Sequence, residues 1–234
     1  MKPCGQPKCS SCSQTYCLIN RFCSAQWKSR LEDEKTSCTY KTGQNIFHED
    51  NMVFGLHFIY DGKIKVFNTG NKEKQHIVRL AGSGEMLGFR AFADKVYRVS
   101  AAALEDTVLC FITKQVFLEI LQANPKLPLH LLDVYAKELT KLETRYRNFA
   151  QLTITERIAD ALLLIGKKWG KTVSNGILLD INILPADIAR LAGEATEDVY
   201  RTMGKFRKLK LIKKTNNNIT ITEPKKLLEI VLQK

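Results

Sequence analysis

Seven cysteines are the residues of this chain best equipped for chemistry. Cys4, Cys9, Cys12, Cys17 and Cys23 crowd the first 23 residues, Cys38 follows, and Cys110 stands alone. In a reducing compartment, clustered cysteines point to metal or redox chemistry more than to disulfides. Cys9-Ser-Ser-Cys12 has the two-residue gap that lets two thiolates reach one metal centre, and Gly5, Pro7 and the serines keep the segment loop-like. Four thiolates would satisfy zinc as a tetrahedral set. They would equally hold an iron–sulfur cluster, which often takes one ligand from far along the chain. A redox dithiol at Cys9 and Cys12, or a tail with incidental thiols, also fits the spacing, although no thioredoxin-like βαβ pattern surrounds the pair. His48, His57, His76 and His130 are scattered without ligand spacing and read as ordinary strand, loop and helix residues.

A second constellation lies between Leu184 and Phe206. Pro185 suits a first helical turn, and Ile188, Leu191 and Ala192 make one apolar face at i, i+3, i+4. Gly193 turns the chain, and a second helix is expected to begin near Glu194 to Thr196. Val199, Met203 and Phe206 would point back onto the first helix, leaving Glu197, Tyr200, Arg201, Lys205 and Lys208 outward. This is the helix-turn-helix pattern, whose second helix enters the major groove; an ordinary helical hairpin is the plainer alternative. Leu211 to Lys214 and Ile219 to Thr222 flank Asn216-Asn217-Asn218, a hairpin that would add a wing. Lys205, Arg207, Lys208, Lys210, Lys213 and Lys214 can neutralise phosphates, in a chain of formal net charge +12 and pI about 9.4. Arg201 has the geometry to pair with guanine and Glu197 to accept from cytosine, while Thr196 and Lys205 would touch phosphate. The simpler role for Glu197 and Arg201 is an i, i+4 ion pair.

The elements that must position these groups can be read from periodicity. From about Thr39 to Thr113 the period is two, with Asp61-Gly62 as a hairpin signal between Leu56–Tyr60 and Lys63–Phe67. Further turns at Asn68-Thr69-Gly70-Asn71 and Gly82-Ser83-Gly84-Glu85, with strands from Gln75 to Leu80 and Ala101 to Ile112, suggest a small antiparallel barrel or roll, a form that often encloses a ligand. Gln115 to Phe149 is helical, interrupted by Pro125 and Pro128, with a long helix from about Leu129. Leu132, Tyr135, Leu139, Leu142, Tyr146 and Phe149 alternate steps of three and four, a coiled-coil seam flanked by Lys137, Glu138, Lys141, Glu143, Arg145 and Arg147. Such a stripe serves a dimer or packs on its own barrel. Thr153 to Trp169 makes another helix, capped by Thr153-Ile154-Thr155-Glu156. A loop from Lys167 to Asn175 and a strand from Ile177 to Ile181 follow. No apolar run approaches the roughly 18–20 residues of a membrane span. The polar start, Met1 to Cys17, lacks an export signal's apolar core, so a cytoplasmic protein without membrane contact is expected.

The order barrel, long helix, winged helix-turn-helix resembles the CRP/FNR family of bacterial transcription regulators. Gly84-Glu85-Met86-Leu87-Gly88-Phe89 resembles that family's turn between barrel strands, and Ala103 to Ile112 its last strand before the helices. The resemblance implies an α+β protein, with an N-terminal antiparallel β-roll of the cupin or cyclic-nucleotide-binding kind and a dimerisation helix leading to a C-terminal winged helix-turn-helix. Residues 1–30 would be the cysteine-rich segment, 31–125 the β-roll, 126–149 the dimerisation helix and 150–234 the DNA-binding domain. The family's cyclic-nucleotide binders carry an Arg-Ser pair that Arg98-Val99-Ser100 splits here, which argues against a cyclic nucleotide. FNR-like sensors instead hold a [4Fe–4S] cluster on an N-terminal cysteine group plus one cysteine in the last barrel strand. Cys9, Cys12, Cys17 and Cys110 match those places, with Cys23 and Cys4 as alternates. The gap between Cys12 and Cys17 is one residue shorter than the usual pattern. The family's Glu-x-x-Ser-Arg reads Glu197-Asp198-Val199-Tyr200-Arg201, with Tyr200 in place of serine.

The function so implied is a non-enzymatic regulator responsive to oxygen or nitric oxide. It would act as a homodimer joined along Leu132, Tyr135, Leu139, Leu142 and Tyr146, bind a near-palindromic site in double-stranded DNA, and have RNA polymerase as a partner. The alternative is a regulator whose barrel binds another small effector or none, with the cysteines zinc-bound or redundant.

Overall fold

Alternating hydrophobicity in the first half of the chain becomes two antiparallel sheets. The computed structural model describes residues 7–70, 74–89, 95–215 and 218–232, so Cys4 and the turn residues Asn71, Asn216 and Asn217 lie outside the described residues. Two compact units form, one of Met1–Thr69 with Ala81–Leu139, the other of Gly70–Leu80 with Thr140–Lys234.

The first unit opens with two helices that the sequence pattern did not reveal, α1 (Leu18–Phe22) and α2 (Ala25–Glu34). Ser24 caps α2, its hydroxyl accepting from the Trp27 N–H. The strands follow: β1 (Thr36–Tyr40), β2 (Asn45–Phe47), β3 (Gly55–Asp61), β4 (Lys63–Thr69), β6 (Met86–Leu87), β7 (Ser100–Ala103) and β8 (Thr107–Thr113), while β5 (Gln75–Gly82) belongs through Leu80 to the second unit. One sheet runs β1-β8-β3-β6, and β7 pairs with both β2 and β4 in the other. The expected hairpin at Asp61-Gly62 is therefore a corner: β3 pairs with β8 and β6, while β4 crosses to the second sheet. Gly62 has φ +120° and presses on Thr107, where a Cβ would lie 2.2 Å from the hydroxyl oxygen. That close approach turns the chain away from its own neighbour strand.

Between the sheets the rings of Phe111, His57, Phe47 and Tyr97 form a column, with centroids 5.0, 5.8 and 4.0 Å apart in that order. On the outer face of the first sheet a separate apolar cluster gathers Leu18, Ile19, Leu31, Leu56, Phe58, Ile112, Phe117 and Ile120. It binds α1, α2 and α3 (Lys114–Ala123) to β3 and β8. Thr113 caps α3 through the Val116 N–H. The long helix α4 spans Lys126–Gln151, starting earlier than expected because Pro128 sits in its first turn, where proline removes no helical bond.

The second unit contains α5 (Ile154–Trp169), β9 (Gly170–Val173), β10 (Gly176–Leu179), α6 (Pro185–Ala192), α7 (Thr196–Lys208), β11 (Ile212–Thr215), β12 (Asn218–Ile221) and α8 (Pro224–Leu232). Thr153 and Glu156 form the expected capping box on α5. The stretch expected as a loop from Lys167 contains β9, which completes a sheet ordered β11-β12-β10-β9. The helix α8 was also not anticipated; it packs on α5 through buried Leu227. On α4, two supposed flank residues turn inward. Glu138 is buried, and Arg145 donates to the carbonyls of Ile77, Val78 and Leu191 within the second unit.

Gly193 fixes the turn between α6 and α7. Its φ is +73°, and a Cβ there would stand 2.3 Å from the Phe149 ring. Gly193→Ala should therefore cost about 1–3 kcal/mol from backbone strain alone, read as a lower denaturant midpoint for the second unit.

Candidate functional site

Cys110 lies on β8, opposite Ser37 of β1 on one side and Phe58 of β3 on the other. Strand alternation puts Leu109 and Phe111 toward the ring column and Cys110 on the outer face. Cys38, paired with Leu109, belongs to the other face and stands apart from this site. The N-terminal loop crosses the outer face. Its turn is set by the Cys17 N–H bonding to the Gln14 carbonyl, and Asn20 Nδ2 bonds to the carbonyls of Cys12 and Gln14 at 2.9 and 3.1 Å. Both the backbone N–H and the hydroxyl of Ser10 donate to Glu32 of α2, which holds that carboxyl below its ordinary range. Gly84, at φ +85°, lets the Gly82–Glu85 turn lie against Tyr16 and Cys17; a Cβ would come within 2.8 Å of the Tyr16 Cβ.

These contacts bring Cys9, Cys12, Cys17 and Cys110 to the wall of one pocket of about 30 Å³, with Ile19, Phe58, Ile112 and Lys35 beside them. Cys23, the alternate ligand, is buried at the end of α1, outside this lining. Burial raises the Cys17 and Cys110 thiols above their ordinary range. Cys9 is pushed up to about 11 by burial, with Lys35 pulling against it, and Cys23 to about 12 by burial. No three His, Cys, Asp or Glu groups among the described residues converge on one metal ion. A mononuclear zinc site needs its donors within about 2.0–2.3 Å of a single point. Thiols ringing a pocket suit a cluster instead, where each thiolate binds a separate iron. The buried Ser37 hydroxyl stands across from Cys110 and is directed at its sulfur, a polar donor on the wall the thiols share. The residues present therefore fit a cysteine-bound cluster.

The nucleotide-related motif is occupied differently. Glu85 accepts from the Gly82 N–H at 2.8 Å within its own turn, and Arg98 stands before β7, exposed, rather than on a strand. His57, in the ring column, is pushed down to about 4 by burial and is neutral at pH 7.

In the second unit α6 and α7 pack through Ile188, Leu191, Val199, Met203 and Phe206, all buried. Glu197, Tyr200, Arg201, Lys205 and Lys208 are exposed on α7 as expected, and Thr196 is half-buried at its start. Ile212 of β11 pairs with Ile221 of β12, leaving Lys213 and Lys214 exposed along the wing. The expected Glu197–Arg201 ion pair is not formed: Arg201 pairs with Asp198, one turn back at i, i+3. Arg157 braces the turn, bonding Glu194 and the Phe149 and Leu152 carbonyls.

A family model described as the cyclic nucleotide-binding domain matches residues 37–124, and one described as the Crp-like helix-turn-helix domain matches residues 156–230. The chain belongs to the CRP/FNR family of transcription regulators. It is 22% identical over 224 residues to the anaerobic regulatory protein of Haemophilus influenzae, covering 95% of this chain and 87% of that one. It is 24% identical over 192 residues to the cyclic AMP receptor protein of Thermus thermophilus, covering 82% and 86%. FixK2 from Bradyrhizobium japonicum shares the fold, with a TM-score of 0.74 at 17% identity over 84% of this chain and 96% of that one. As a CRP/FNR member the chain is an α+β, DNA-binding transcription regulator of a family that is not enzymatic. No helix among the described residues is long and apolar enough to cross a membrane.

Lys35, Ser37 and Asn20 were missed from the sequence. A signal existed for two of them: Lys35 and Ser37 alternate with Thr36 and Cys38 at the start of a strand, placing polar groups on the same face as Cys110. Because the thiolate is the nucleophile, Cys9 in the reduced, metal-free protein should react with iodoacetamide at pH 8 at least about tenfold more slowly than a cysteine in an unstructured peptide. The rate should climb as pH rises past 9, as read by mass spectrometry of the alkylated peptide.

Proposed function

We infer that this CRP/FNR regulator is a homodimer that responds to oxygen or nitric oxide through a [4Fe–4S] cluster held by Cys9, Cys12, Cys17 and Cys110. The observation that carries this is the meeting of three N-terminal cysteines with the barrel's Cys110 around one pocket. Relatives named for anaerobic regulation, and the fumarate and nitrate reduction regulatory protein of Vibrio cholerae at 21% identity, support it. When bound, such a cluster would supply a redox-labile tie between the N-terminal loop and β8. The chain supplies the rest. Ser10, Asn20 and Gly84 seat the loop. Cys110 lies three residues before Thr113, the cap of α3, so a shift at the thiol reaches the helix that precedes α4. A ligand that binds one of two states shifts the population by its differential affinity.

For the dimer, Leu132, Leu139 and Tyr146 stand exposed on α4, Leu139 at 58% and Tyr146 at 79%, a stripe that a second copy would cover. Leu142 and Tyr135 continue it, Tyr135 also bonding its hydroxyl to the Phe89 carbonyl. On this reading residues 1–30 would be the cysteine segment, 31–125 the β-roll, 126–149 the dimer helix and 150–234 the winged domain. At DNA, α7 would lie in the major groove with Arg201 released from Asp198 to guanine, Glu197 toward cytosine and Tyr200 beside them. Thr196, Lys205 and Lys208 would hold phosphates and fix register. Two such helices would read half-sites about one turn apart, ~34 Å, on a near-palindromic promoter, with RNA polymerase as the further partner.

Two experiments test this. Arg201→Ala should weaken binding to the preferred operator by roughly 1–3 kcal/mol and relax discrimination at one base pair, as read by fluorescence anisotropy against single-base operator variants. Protein reconstituted anaerobically with ferrous iron and sulfide should hold about four irons per chain and bind operator DNA as a dimer. Cys110→Ser should lose the iron and the redox dependence of both dimerisation and binding while keeping its fold by circular dichroism. Wild type that stays iron-free, or a Cys110→Ser protein that still switches with air, rules the sensing reading out.

A further inference from the structure

Lys35 ends α2 and is 4% exposed, in a chain whose other lysines mostly face solvent. A lysine ammonium is rarely buried without a partner, because stripping its hydration costs more than neutral contacts return. Its hydrogen bonds go to the Pro7 carbonyl and, at 3.9 Å, to Cys110 Sγ. Among the described residues no carboxylate is paired with it. The buried cation instead adjoins the pocket lined by four thiols, and its charge opposes the effect of burial on both Cys9 and Cys110. On the neighbouring strand the buried Ser37 hydroxyl lies on the same face, directed at the Cys110 sulfur. A cation and a hydroxyl donor directed at one sulfur-lined pocket are complementary to an anionic occupant.

We propose that Lys35 is the positioning residue of the cysteine site, clasping the N-terminal loop at Pro7 onto Cys110 and lending its charge to the anionic group the cysteines hold. The charge half rests on the cluster reading above; the clasp half stands on the apoprotein. Electrostatically, a nearby cation favours the more negative, one-electron-reduced state of a cluster. At an effective dielectric near 20 and several ångströms, one charge shifts that equilibrium by roughly tenfold or more. Lys35 would thus help set the redox level at which the regulator responds.

The test uses the full-length chain and the variants Lys35→Met, which keeps the apolar stem, and Lys35→Arg, which keeps the charge. In the reduced apoprotein, amide hydrogen exchange across residues 8–17 should quicken several-fold in Lys35→Met and stay near wild type in Lys35→Arg. Equal exchange in all three proteins would overturn the clasp. After anaerobic reconstitution, stepwise dithionite titration should show the reduction equilibrium about tenfold less favourable in Lys35→Met, with Lys35→Arg close to wild type. The same equilibrium in all three would overturn the charge role. Should Lys35→Met fail to fold, Lys35→Gln, which retains a donor for Pro7 without charge, carries the titration. Wild type that takes up no iron and sulfide would sink the cluster reading and the charge half with it, while the exchange comparison still decides the clasp.

Discussion

The pairing of β8 between β1 and β3 is the constraint on which the cysteine-bearing half depends. In an antiparallel sheet the side-chain period is two, so the register that sets Cys110 opposite Ser37 and Phe58 also decides which face its sulfur occupies. A slip of one residue would send Cys110 into the ring column and bring Leu109 or Phe111 out among the cysteines of the loop. The apolar surfaces on both sides of this sheet resist that slip. The ring column fills one face, while Phe58 and Ile112 pack against α1 and α3 on the other. Around this fixed thiol the N-terminal loop is tied by short polar contacts, each from a helix or turn whose own place is set by burial: Asn20 from α1, Glu32 from α2, and the Gly84 turn beneath Tyr16.

Burial gives the cysteine pocket its chemical character. Thiols removed from water resist ionisation, so burial favours protonated sulfur, and a group that binds thiolates must displace those protons. Lys35 acts in the opposite sense from a few ångströms away. On the cluster reading proposed above, occupancy would exchange neutral thiols for an anionic group.

The winged unit follows a different logic. Its core is apolar and continuous, through Ile158, Leu162, Ile165, Leu191, Phe206, Ile219 and Ile221, and its basic residues stay in water on α7 and β11. Their positions come from helical and strand periodicity with little help from polar contacts. The exception is the turn at Gly193, where backbone freedom and the Arg157–Glu194 pair fix how α7 is presented.

This difference explains what was legible in the sequence. The helix-turn-helix, its wing, the α5 capping box, most strands and the apolar stripe of α4 follow from local pattern, because each repeats along the chain at 3.6 or 2 residues. The corner at Asp61-Gly62 did not, since Asp-Gly allows a tight turn but does not say whether the next strand pairs back or crosses to another sheet. Contact of Gly62 with Thr107 decides that. Nor did β9 or α8, whose place depends on an edge of the wing sheet and a face of α5. Arg145 and Arg201 found partners other than those spacing suggested, because backbone carbonyls and Asp198 lay nearer than the residues matched by heptad and i, i+4 rules. At the cysteine site the sequence by itself supplied the four thiols and the family order of the chain. Only the tertiary structure decided that Cys17 rather than Cys23 lines the pocket, that Cys38 faces away, and that Lys35 and Ser37 belong to the same place. Those choices depend on strand register and on where a non-repeating loop crosses a sheet, and neither leaves a periodic trace in the sequence.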